Sequence, residues 1–261
     1  VELTGYNLDL GIRTTIGAAT DDTGEFVVSA RLFSEFTRKM SGDTIDFEVD
    51  ENNVVKLSCS ATECSFSAMS ADLPVVDSDN CFHLSQRMLK SMINATRFAV
   101  STNESKPILT GELFDICDGK FNLVAIDGFR IAIRTEPSTT PNTYNFVVPK
   151  KALMEVSSLI KDEENKLCKI YCNERHIIFE MDNSFVISRL LAGQFHNYKL
   201  SIPAEHKTEV ILNKRDIVTC LERCALIIDE KNKCPIRCEI GNGVMKISCK
   251  TAIGKVNDAI N

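Results

Sequence analysis

Internal repetition constrains this chain more than any other feature of its sequence. Residues 28–36 (VSARLFSEF) align with residues 148–156 (VPKKALMEV) at an offset of 120, and both segments read as a strand end running into a helix. The same offset lays residues 3–7 (LTGYN) on residues 123–127 (LVAID), so one register holds across two segments. A second pair, residues 84–100 on residues 212–228, aligns at an offset of 128.

Within one repeat, periodicity predicts a helix over 84–98, strands around 107–115 and 121–134, a helix over 149–161, and strands around 167–172, 176–181 and 184–191. Asp127-Gly128, Asn173-Glu174 and Asp182-Asn183 supply turns between the strands. Further helices are expected over 29–41 and 212–226. The fold class is α+β, built from repeated domains with two helices packed on antiparallel sheets. End to end, the repeats give domain 1 over 1–77 without its first helix, a complete domain 2 over 78–208, and domain 3 over 209–261 without its second helix. That register describes a slice of a longer chain, short by roughly 40 residues at the front and 65 or more at the back. Pro74 and Pro203 stand near the expected boundaries.

The charge is distributed unevenly over these elements. The expected helices carry +2 (29–41), +3 (84–98), +2 (149–161) and +1 (212–226), whereas the chain as a whole carries −6, which leaves −14 for everything else. A charged outer helix face is often only a solvated one, but four equivalent basic helices in an acidic chain point to a shared surface for a polyanion. Trp is absent and the Phe residues sit mostly at apolar positions, so base stacking is not indicated. Sequence-independent attraction to a nucleic acid backbone remains.

Several function classes are excluded or disfavoured. At 44% hydrophobic and 25% charged residues the composition is that of a globular protein. The longest apolar runs, such as Ile131-Ala132-Ile133 and Phe185-Val186-Ile187, fall far short of the roughly 20 residues that span a bilayer. The first residues do not read as a signal peptide, and 11 Cys in 261 residues fit reduced thiols of a cytoplasmic protein. Of the C-x3-C pairs, Cys220 and Cys224 fall on an apolar helix face. Cys168 and Cys172 fall in a strand about 13 Å apart, and Cys234 with Cys238 is the one pair left open for metal. No phosphate-loop, zinc-protease, serine-hydrolase or dinucleotide motif occurs. His83, His176, His196 and His206 are scattered, and no catalytic residue, metal or cofactor is expected.

Four segments carry a family resemblance that runs along essentially the whole chain: Leu109-Thr110-Gly111-Glu112-Leu113-Phe114, residues 124–132 (VAIDGFRIA), Val147-Val148-Pro149-Lys150-Lys151, and residues 191–198 (LAGQFHNY). They resemble the bacterial sliding clamps, the beta subunits of DNA polymerase III. The resemblance implies a processivity factor without chemistry of its own, in which two three-domain subunits join head to tail in a ring around duplex DNA. Helices would line the hole and sheets would lie outside. DNA-facing positions carry over to Arg31, Arg87, Lys90, Lys106, Lys150, Lys151 and Arg215. In the family, a hydrophobic cleft binds a short partner peptide, and its positions carry over to Leu109, Ile126, Gly128, Phe129, Arg130, Ile131 and Tyr198. The implied partners are sequence-independent double-stranded DNA, the DNA polymerase III alpha subunit, the clamp loader and other proteins with a clamp-binding motif. A peptide-binding hub that does not encircle DNA is the alternative reading.

Overall fold

In the computed structural model, residues 1–68, 81–161, 163, 165–228 and 234–260 are described. A hairpin of β1 (Glu2–Tyr6) and β2 (Leu10–Thr15) precedes α1 (Ala30–Lys39) and a meander of β3 (Asp46–Val49), β4 (Val54–Cys59) and β5 (Thr62–Ser67). Next come β6 (Cys81–Ser85), α2 (Gln86–Thr96), β7 (Gly111–Cys117), β8 (Lys120–Ile126) and β9 (Ile131–Pro137). The same order recurs in β10 (Tyr144–Pro149), α3 (Lys150–Leu159), β11 (Leu167–Cys172), β12 (His176–Met181) and β13 (Ser184–Arg189). The last stretch holds α4 (Lys214–Ala225), β14 (Arg237–Gly241), β15 (Val244–Lys250) and β16 (Lys255–Ile260). Contacts group the chain into two units, Val1–Tyr198 and Lys199–Asn261. The expected boundary at residues 77 and 78, with Pro74, lies outside the described residues.

Local chemistry sets the element ends. Leu84 and Ser85 still pair with Cys168 and Leu167 of β11, so α2 starts two residues later than its periodicity suggests. Ser85 is extended and its hydroxyl accepts a hydrogen bond from the Met88 N–H, an N-cap that satisfies one free donor of the first turn. Leu89, Met92, Ile93 and Thr96 are buried along one stripe. The end of the expected helix tightens into a 3-10 turn at Arg97–Ala99. A second 3-10 turn, Pro107–Thr110, replaces the start of the expected strand, because proline has a fixed φ and no N–H to give a ladder. The α3 helix ends at Leu159, with Ile160 extended, so Lys161 lies beyond it.

Two sheets share one core in unit 1. One has the order β10-β7-β8-β9; the other has the order β1-β2-β13-β12-β11-β6. The strand that leads into each helix pairs in the sheet of the opposite half: β6 with β11, and β10 with β7. The chain direction of the first half is therefore locked to that of the second. Leu89, Met92 and Ile93 of α2 and Leu153 and Val156 of α3 pack on both sheets, together with Phe114, Phe121, Ile170, Ile177 and Phe179. The Phe114 ring lies 5.1 Å from Phe121 in its own sheet and 6.3 Å from Phe179 in the other. Gly111 lets β7 approach β10 closely, since a Cβ there would meet the Val148 carbonyl oxygen at 2.3 Å. Within the six-stranded sheet, β13 pairs antiparallel with β2, Val186 opposite Ile12.

The repeat is visible in detail. Asn7 Oδ1 accepts the N–H groups of Asp9 and Leu10 at 3.2 and 2.8 Å, and 120 residues on Asp127 Oδ1 accepts those of Phe129 and Arg130 at 3.0 and 3.1 Å. Both are side-chain-closed turns between paired strands. The meander β3-β4-β5 repeats β11-β12-β13, and in unit 2 α4 with β14-β15-β16 repeats α2 with β7-β8-β9. Unit 2 packs Cys220 and Cys224 of α4 on Met245, Ile247 and Cys249 of β15.

Leu153 is fully buried between the two sheets. Leu153→Ala is expected to destabilise unit 1 by about 2–5 kcal/mol, read as a lower urea midpoint with an unchanged slope.

Candidate functional site

Two features combine groups that could bind something: an apolar cluster beside a hairpin tip of unit 1, and a set of basic side chains, most of them on helices. The cluster contains Leu113, Val124, Ile126, Val147 and Tyr198, with Ile108, Leu109, Ile131, Leu191 and Phe195 half-buried against it. Of the sequence-derived cleft residues, Leu109, Ile126, Ile131 and Tyr198 therefore come together. Gly128, Phe129 and Arg130 form the tip of the β8–β9 hairpin that Ile126 and Ile131 frame.

The tip is rigidly built. Gly128 has φ +93°, a left-handed conformation that costs glycine least. The Phe129 N–H donates to Asp127, and this bond, with further help from Arg130, holds the Asp127 carboxyl below the usual range. Arg130 Nε donates to Asp127 Oδ2 at 2.7 Å, while its guanidinium carbon stands 5.4 Å from the centroid of the Phe98 ring. Phe129 itself is 100% exposed. A phenyl ring held in water on an ordered turn, next to an apolar cluster and a cation, can capture an extended segment with an apolar side chain and a carboxylate.

Within the cluster, Tyr198 is buried and its phenol donates to Asp115 Oδ2 at 2.7 Å. Burial and the Asp115 bond push the phenol pKa upward, so it stays a donor at every working pH.

The basic residues divide into exposed and anchored groups. Arg31 on α1, Arg87 on α2, Lys106 in the loop before Pro107, Lys151 on α3 and Arg215 on α4 are exposed. Lys90 is half-buried and its ammonium donates to the Ile160 carbonyl at 3.0 Å, so it ties α2 to the end of α3 as well as adding charge there. Lys150 is half-buried at the start of α3. In unit 2, Arg223 bonds Asp258 of β16 through Nε at 2.6 Å, which neutralises part of the α4 charge.

Sequence reasoning missed Phe98, Asp115, Ile108 and Phe195 at this site. Phe98 carried a usable signal, an apolar residue directly after a basic helix end; the others had none that spacing could show. The thiols of Cys168 and Cys172 are pushed up by burial, the latter to about 11, so both are protonated core residues.

Phe129→Ala is expected to leave thermal unfolding unchanged, because the ring contacts mainly water. Tyr198→Phe, which removes the phenol's hydrogen bond to Asp115, is expected to lower stability by about 1–3 kcal/mol, measured by the same melts.

Comparison with known proteins agrees with this architecture. A family model of the DNA polymerase III beta subunit N-terminal domain matches residues 1–77, and one of its central domain matches residues 83–197. The beta sliding clamp of Halalkalibacterium halodurans is 32% identical over all of this chain, which spans 73% of that protein; that of Bacillus subtilis is 30% identical with the same coverage. Among solved structures, a putative DNA polymerase III beta subunit from Eubacterium rectale superposes with a TM-score of 0.93 at 31% identity, covering 100% of this chain and 72% of that one. The Bacillus subtilis clamp follows at 0.90 and 29%, with 99% and 72% covered. On this combination of sequence, fold and repeat, the chain belongs to the beta sliding clamp family, the beta subunits of DNA polymerase III.

Proposed function

We propose that this chain acts as a DNA sliding clamp, a processivity factor without catalytic groups of its own that encircles duplex DNA and tethers the replicative polymerase. The observation that carries the reading is the segregation of charge. In a chain of net charge −6, exposed Arg31, Arg87, Lys151 and Arg215 all stand on helices, at equivalent places of one repeat. Helix faces of that kind attract phosphates without reading bases, which suits a protein that must stay on DNA and still move along it.

Strand pairing supports ring closure between two copies. The β2–β13 junction joins the hairpin of one repeat to the meander of the next. By the repeat, β16 corresponds to β2 and β5 to β13, and each is an edge strand of its own sheet. Pairing β16 of one copy with β5 of a second would reuse that junction head to tail.

The cleft reading is the second half of the proposal: the Phe129 tip and the cluster around Ile126 and Tyr198 receive an extended peptide from the polymerase, the clamp loader and other clamp-binding partners. We take the cytoplasm, where chromosomal DNA is replicated in bacteria, as the working compartment; no helix among the described residues is long and apolar enough to cross a membrane.

Arg87→Glu with Lys151→Glu tests the DNA surface. Both side chains are exposed, so the fold should survive, DNA affinity should fall, and the slope of log affinity against log salt should flatten by about 2. Unaltered affinity and slope would remove these helices from the DNA surface.

A further inference from the structure

Glu112 of β7 is completely buried. Its Oε2 is hydrogen-bonded to Thr96 Oγ1 at the end of α2, while Oε1 is buried with no hydrogen-bond partner. Thr96 Oγ1 also lies 2.9 Å from the Met92 carbonyl oxygen. The threonine hydroxyl has a single proton and the carbonyl can only accept. If that proton goes to Met92, the second contact needs a proton from the carboxyl group; if it goes to Glu112, the helix carbonyl loses its extra donor. A protonated Glu112 completes the chain: carboxyl O–H to Thr96 Oγ1, and Thr96 O–H to Met92. An ionised Glu112 would break it and leave a charged, bare Oε1 in the core.

The surroundings point the same way. Thr96 of α2 and Val148, opposite Glu112 in β10, carry no charge, and the charged groups acting on the carboxyl are Lys150 of α3 and Arg97 after α2. Both favour ionisation, yet burial outweighs them and raises the pKa from its ordinary 4.5 to about 7.

We propose that Glu112 is a proton-operated latch between β7 and the C-terminal end of α2, closed when its carboxyl is neutral and loosened when the proton leaves to solvent. The latch ties β7 to α2, the helix that carries Arg87 and Lys90, and feels the charge of Lys150 of α3; its operation does not require DNA.

The sign follows from linkage. A carboxyl whose folded pKa lies above its unfolded one binds more protons in the folded state, so its stabilising effect is complete at low pH and is lost as pH rises from about 4.5 to about 7. The folding equilibrium constant is expected to drop about tenfold between about pH 6 and about pH 8 on account of this group.

The experiment is thermal unfolding of the whole chain across that range for the parent and for Glu112→Gln, whose amide donates to Thr96 at every pH. The difference between the two cancels the other titrating groups. The parent is expected to lose roughly 2–4 °C more than the variant on going to the higher pH; parallel profiles would overturn the proposal. Should Glu112→Gln not fold, infrared spectroscopy of the parent decides: a protonated carboxyl band present near pH 6 and lost as the pH passes about 7 is the expected result, and its absence near pH 6 overturns the latch.

Discussion

The exchange of strands between the two halves of the 81–198 stretch is the constraint on which the rest depends. Because β6 pairs with β11 and β10 pairs with β7, neither helix can leave its sheet without breaking a ladder in the other half. Both sheets then close over the one apolar layer that contains Leu89, Leu153, Phe114 and Phe179. The polar faces of α2 and α3 are left pointing the other way, and the basic side chains ride on them. Lys90 shows the economy of the arrangement: its stem lies along the helix pair and its ammonium closes the carbonyl of Ile160.

The same sheets hold the apolar cluster and the hairpin tip. Asp127 shapes the turn through its own side chain and pins Arg130, so Phe129 is presented by a folded scaffold with little freedom to lose on binding. The hairpin tip belongs to the sheet β10-β7-β8-β9 on which α2 and α3 also pack; in the proposed function one feature addresses a polyanion by charge alone and the other a partner by shape.

Much of this was legible in the residues. Leu167–Cys172 and His176–Met181 alternate so cleanly between inward and outward positions that their limits follow from the pattern, and the four helices follow from their stripes. The Asp127-Gly128 pair signalled its own turn, and the repeat laid Asn7 on Asp127, where the structure shows the matching turn. The strand exchange was not legible, because β6 and β11 are partners more than 80 residues apart and no local signal names a partner. Glu112 was hidden for a related reason. Residues Gly111–Ile116 are buried on both faces, so the alternation that would mark an inward polar residue is missing. Lys90 looked like any lysine on a solvated helix face until the end of α3 was seen beneath it.

In the proposed function the protein holds DNA by surrounding it. The most direct test loads the protein on nicked circular duplex, removes free protein, and measures what remains bound before and after the circle is cut once. Encirclement predicts retention on the circle and loss from the linear ends at moderate salt, whereas equal retention on both forms would contradict it.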